Sequence, residues 1–221
     1  MDTNNRIRGN NFFYRGDYRQ ALEAYTLVIE SEPADAEVYT NRGAVHAALG
    51  SYDQAVDDLN RALELDASYA VAYNNRGLAW AALGDSEAAL RDYRRALELA
   101  PGDAVVHKNL GATHEAQRAT AAAMADYDRA IELDSEYAEA YYARGLLHAE
   151  AGDDEAARAD YDRAVKLQPK HAAAYYGRGL AAGRLGDFGQ SLADLQKYLE
   201  LAPRAGNRAQ VEAIVRKLSR P

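Results

Sequence analysis

Residues 70–103 read AVAYNNRGLAWAALGDSEAALRDYRRALELAPGD, and three of them decide the fold. Gly77 belongs to a column of six glycines spaced 34 residues apart: Gly9, Gly43, Gly77, Gly111, Gly145 and Gly179. Ala89 belongs to a second column of the same period, Ala21, Ala55, Ala89, Ala123 and Ala157, with Ser191 in the sixth place. Tyr93 belongs to a third, Tyr25, Leu59, Tyr93, Tyr127, Tyr161 and Leu195. Three columns held in phase along the whole chain make the repeat, not the residue, the unit of organisation.

Each unit reads as two antiparallel helices, as at 37–49 and 53–66, joined by the turn Gly50-Ser51-Tyr52. A glycine at a helix end supplies the left-handed conformation that residues with a Cβ resist. The small residues of the first two columns fall where the paired helices cross and permit close backbone approach, and the rings fill the space around them. One pair cannot bury its apolar face alone, so neighbours must stack. The segment from Asn207 to Ser219 departs from the pattern but keeps an apolar stripe, Val211, Ile214, Val215 and Leu218, at helical spacing. It reads as a capping helix with a polar outer face.

The columns resemble those of the tetratricopeptide repeat family over residues 2 to about 205. The aromatic fourth position is Tyr39, Tyr73, Tyr141 and Tyr175, with Asn5 and His107 as departures. The closing proline is Pro33, Pro101, Pro169 and Pro203, replaced by Ala67 and Ser135 in repeats two and four. The resemblance implies an all-α, right-handed superhelical solenoid of six units, 2–35, 36–69, 70–103, 104–137, 138–171 and 172–205, followed by the cap at 206–221. It also implies a scaffold or adaptor that holds a helix or extended peptide of a partner protein in its concave groove. The alternative is a structural protein that self-assembles into homo-oligomers through its ends or convex face, with Ile7, Phe12 and Phe13 available for such contact.

In the family the first helix of each pair lines the groove. Carried over, that surface includes an amide ladder at position six, Asn41, Asn75 and Asn109, able to donate to and accept from a peptide backbone. The groove begins with Arg6 and Asn10 and continues to Tyr142 and Tyr176, whose rings offer rigid contact area with a polar tip. A narrower resemblance is to the domains that clamp acidic chaperone tails, whose clamp would fall on Arg6, Asn10, Asn41, Val71 and Asn75. Val71 and Asn75 stand where cations are required, and the lost charge-assisted contacts argue against that ligand.

Two further columns are charged. Position seven is Arg8, Arg42, Arg76, Arg144 and Arg178, with Leu110 as the exception, and position twenty-three is Asp58, Asp92, Asp126, Asp160 and Asp194, with Ala24 in repeat one. Opposite charges at fixed offsets predict ion pairs inside the solenoid and arginine stacked on the neighbouring tyrosines. His114 and His148 occupy position eleven of adjacent repeats, yet a zinc site needs three or four ligands, so no metal is expected there. Repeat four departs most, with His107, Leu110 and the turn Gln117-Arg118.

The formal net charge of −8 disfavours non-specific nucleic-acid binding. No apolar stretch approaches the roughly 20 residues that span a bilayer. The chain has no cysteine, and phosphate-loop, HExxH, nucleophile-elbow and calcium-loop motifs are missing, so neither cofactor nor enzymatic activity is expected. The opening MDTNNRIRGNN has no signal-peptide core. The cytoplasm is the favoured address, and the periplasm follows if a signal segment has been removed. The alanine, arginine and aspartate usage resembles that of a bacterial chain.

Overall fold

The computed structural model describes residues 3–219, and all regular structure among them is helical. Asp2, which opens repeat one in the sequence reading, and Arg220 and Pro221, which close the cap, lie outside the described residues. The chain forms two compact units that meet between Gln117 and Arg118, inside repeat four.

The first unit holds α1 (Thr3–Arg15), α2 (Tyr18–Ser31), α3 (Ala36–Ala48), α4 (Tyr52–Leu65), α5 (Ala70–Leu83), α6 (Ser86–Leu99) and α7 (Ala104–Ala116). The second holds α8 (Thr120–Leu133), α9 (Ala138–Glu150), α10 (Asp154–Leu167), α11 (Ala172–Arg184), α12 (Phe188–Leu201) and α13 (Arg208–Leu218). Helices predicted at 37–49 and 53–66 each lie one residue earlier, at 36–48 and 52–65; for α3, Asp35 accepts from the Val38 N–H and fixes the first turn at Ala36.

The small-residue columns do what their chemistry implies. A Cβ added to Gly9, Gly77 or Gly145 would sit 2.6, 2.6 or 2.9 Å from the ring of Tyr25, Tyr93 or Tyr161. Those three rings are each 1% exposed, so they have nowhere to retreat. Gly43 and Gly179 play the same part over Leu59 and Leu195. Tyr161 is covered twice, since a Cβ on Gly177 would also approach its ring to 2.6 Å. The alanines of the second column, Ala21, Ala55, Ala89, Ala123 and Ala157, are 0% exposed and bring each second helix against its partner.

The turn between paired helices uses the same device five times. Gly16, Gly50, Gly84, Gly152 and Gly186 have φ between 76° and 87°. After three of them an aspartate caps the next helix: Asp85 accepts from Ala88, Asp153 from Ala156 and Asp187 from Gln190. Repeat four has neither feature. Arg118 takes the left-handed conformation with φ 59°, and Ala119 has no side chain to cap α8. A left-handed residue with a Cβ is strained by about 1–2 kcal/mol, and a missing cap forfeits about 1 kcal/mol. The double substitution Arg118→Gly, Ala119→Asp is therefore expected to raise the urea-unfolding free energy by about 2 kcal/mol. Arg118→Ala alone, which keeps the Cβ, is expected to give no such gain.

Candidate protein-binding surface

The charged columns close into a repeated fork. Arg42 donates to both oxygens of Asp58, at 2.8 and 2.6 Å, and Arg76 donates to both of Asp92, each at 2.7 Å. In the second unit Arg144 grips Asp160 and Arg178 grips Asp194 in the same way, at 2.7–2.8 Å. These four aspartates are only 2–6% exposed. The remaining guanidinium nitrogen reaches back to position twenty-five of the preceding repeat: Arg42 to Thr26, Arg76 to Asn60, Arg144 to Asp128 and Arg178 to Asp162. Each guanidinium also lies 5.4–5.7 Å from the ring centre of Tyr39, Tyr73, Tyr141 or Tyr175. The bonds to aspartate raise the pKa of all four arginines, against the opposing effect of burial. These four position-seven cations are committed inside the fold.

The departures from this column have a physical reason. Repeat three carries Arg94 at position twenty-five, where other repeats offer an acceptor or a neutral side chain. A following arginine would meet a like charge there, and position seven of repeat four is instead Leu110, packed with Tyr93 and Val106. Arg8 has Ala24 in place of its aspartate, and it bonds Asn5 and lies over the Phe12 ring.

The residues expected to line the groove divide into committed and open groups. Arg6 is bound by Asp35 and Glu37, with Glu32 at 3.7 Å, so its charge is spent on the turn leading into α3. Asn10 accepts from the Tyr25 hydroxyl at 2.7 Å, while burial, with Tyr14 and Glu37 adding to it, pushes that phenol up to about 12. Asn109 is 4% exposed, and its amide nitrogen donates to Asn74 across the joint between repeats at 2.9 Å. Asn41 and Asn75 are half-buried, with side-chain amides that no other described residue engages. Three residues on from Asn75 in α5, Leu78 is 41% exposed and, with Ala81, Ala112 and Lys108, lines a cleft of about 250 Å³.

In the second unit Tyr142 lies 5.9 Å from the Tyr161 ring and 4.6 Å from His171, and Tyr176 lies 5.0 Å from Tyr198. Both tyrosines are half-buried. A larger cleft of about 580 Å³ opens between α11, α12 and α13, with Leu180, Phe188, Ile214 and Leu218 as its walls. Ile214 and Leu218 belong to the apolar stripe expected of a cap, but their place in the repeat register was not read from the sequence, although the signal was present. Ile214, Lys217 and Leu218 follow Leu180, Gly183 and Arg184 by the repeat length of 34 residues. The capping helix therefore stands in the register of a first helix of a seventh pair, with Val211 at 0% exposure as its anchor against Leu195 and Tyr198.

His171 joins this region to pH. Its Nδ1 accepts from the Ala174 N–H at 3.2 Å and so caps α11. Burial lowers its pKa below the ordinary 6.5, with Glu139 opposing the shift. The unfolded chain therefore takes up a proton before the folded one does, and the stability from the neutral cap is present above 6.5 and is lost as pH falls from there through the lowered folded value. His171→Asn keeps a capping acceptor without titrating. Thermal unfolding followed from pH 7.5 downward is expected to show a smaller acid-side loss for this variant than for the parent.

Comparison with known proteins agrees with this architecture. Models described as tetratricopeptide repeat match residues 8–70, 70–103 and 153–216, and one described as TPR repeat matches 120–152. Among solved structures, PilF of Pseudomonas aeruginosa is 19% identical, with 96% of each chain covered and a TM-score of 0.82. PilW, a type IV pilus biogenesis factor, is 17% identical over 96% of this chain and 100% of its own, with a TM-score of 0.82. YrrB, a TPR protein with an unusual peptide-binding site, is 24% identical over 87% of this chain and 100% of its own, with a TM-score of 0.61. At these identities the likeness is one of fold. No described helix is long and apolar enough to cross a membrane. Repeat columns, helix pairs and matched models together make this chain a member of the tetratricopeptide repeat family, whose fold is that of protein-interaction scaffolds.

Proposed function

We propose that the chain is an adaptor that holds an extended or helical segment of a partner protein along the faces of its first helices. The observation that carries this reading is the pair of open amides, Asn41 and Asn75, with the exposed apolar side chain of Leu78 three residues on from Asn75 in α5. Amides that neither fold nor neighbour engages can satisfy the backbone of a bound segment, while the apolar patch removes side chains from water. The small side chains between them, Ala44, Ala48 and Ala82, leave room for a chain to lie close. Arg6, Asn10 and Asn109 serve this surface indirectly, through the structure they hold. Tyr142 and Tyr176 offer ring edges in the second unit. The peptide-binding site of YrrB makes a peptide the first class of partner to test.

Affinity capture from the source organism, with parent and variants in parallel, tests the proposal. Asn41→Ala with Asn75→Ala is expected to reduce recovery of the captured partner about tenfold, equivalent to about 1.4 kcal/mol, at unchanged helicity. Arg95→Ala, an exposed second-helix position engaged by Glu98 and Tyr73, is the control and is expected to retain the partner. Equal recovery by the amide variant and the parent overturns the proposal. Homo-oligomer assembly is the second reading, supported by Ile7 at 54% and Tyr14 at 84% exposure on α1. Light scattering on the same samples decides it, because a monomer at every concentration removes it.

A further inference from the structure

The cleft between α11, α12 and α13 differs in character from the amide face. Its walls are apolar, and its two charged residues, Arg184 and Lys217, are both cations in a chain whose net charge is −8. Arg184 is already engaged, its Nε donating to Asp154 at 2.7 Å. That contact holds the Asp154 carboxyl below the usual carboxylate range. Lys217 is exposed and forms no ion pair with any described residue. Phe188, in the first turn of α12, is 59% exposed, an unusual state for so large an apolar ring.

Register explains why this place is open. One repeat earlier, the residue at the Phe188 position is Asp154, and it is held by Arg184 of α11. The residue that follows Arg184 by one repeat is Leu218, at the last turn of α13. The capping helix ends there, and Leu218 lines the same cleft as Phe188 without enclosing it. An apolar pocket with a free ammonium on its rim matches a ligand with the inverse pattern, apolar side chains bordered by carboxylates.

We infer that this cleft is a docking site for an acidic amphipathic helix of a partner protein. Its apolar side chains enter between Leu180, Phe188 and Ile214, and its carboxylates meet Lys217. The open cleft, bounded by helices on its sides, suits a helix laid into a groove, read through anchors three and four residues apart. The inference rests on the adaptor reading and gives its second unit a partner chemistry of its own.

The probe is a fluorescein-labelled synthetic peptide of alternating Glu-Glu and Leu-Leu pairs, with a Lys-Lys counterpart as the charge-reversed control. Fluorescence anisotropy with the full chain is expected to show saturable binding of the glutamate peptide. Phe188→Ser and Lys217→Glu are each expected to weaken that binding about tenfold without shifting the thermal midpoint, since both side chains are exposed. Lys217→Glu is also expected to improve binding of the lysine peptide. Asn41→Ala with Asn75→Ala is expected to leave the affinity for the probe unchanged. Absence of saturable binding, or equal binding by the parent and both cleft variants, overturns the inference. So does a dimer in light scattering that Phe188→Ser disperses, which would assign the cleft to a second copy. If the cleft variants have no effect while the amide variant loses its captured partner, this inference falls and the adaptor reading stands.

Discussion

The arginine fork at position seven is the interaction on which the regular part of the structure turns. One guanidinium ties its own helix to the following helix through aspartate, to the preceding repeat through position twenty-five, and to a tyrosine ring through its face. No lysine could replace it, because a point charge on a flexible stem cannot make two parallel bonds to a carboxylate while also stacking. Such a buried pair adds little net stability relative to well-packed apolar side chains, since both charges must leave water. Its effect is geometric: it admits one spacing and one register between helices. The glycine columns then let the helices approach at that register, with the rings of Tyr25, Tyr93 and Tyr161 filling the crossing.

That commitment shapes what remains for binding. With Arg42, Arg76, Arg144 and Arg178 drawn inside, the groups left for the proposed surfaces are half-buried amides, exposed apolar side chains and Lys217. Asn41 and Asn75 offer hydrogen bonds without selecting a sequence. The cleft beside α13 offers apolar contact with a charge preference. On the two proposals made above, the same scaffold would present two recognition chemistries, one in each unit.

Much of this was legible in the sequence, and periodicity is the reason. A contact that recurs every repeat appears as two columns with a constant offset, which is how Arg76 and Asp92 could be paired before any coordinates. The crossings of glycine over tyrosine were readable in the same way. Contacts that occur once leave no column. The bond from Asn109 to Asn74 withdraws the third rung of the amide ladder, and it could not be read from a pattern that showed three equivalent asparagines. The acids around Arg6 lie at the turn into α3, brought there by folding and not by spacing. The capping segment hid its register because Ala213 stands where the glycine column would continue, while Ile214 still extends the column of Leu146 and Leu180.

The fork is tested most directly by a double-mutant cycle on Arg76 and Asp92, read by urea unfolding. Arg76→Met alone and Asp92→Leu alone are each expected to destabilise by about 3–5 kcal/mol, because each leaves a buried charge without its partner. The combined variant is expected to lose at least about 2 kcal/mol less than the sum of the two. Single variants within about 0.5 kcal/mol of the parent, the range of an ordinary surface change, would contradict the account, as would two losses that simply add.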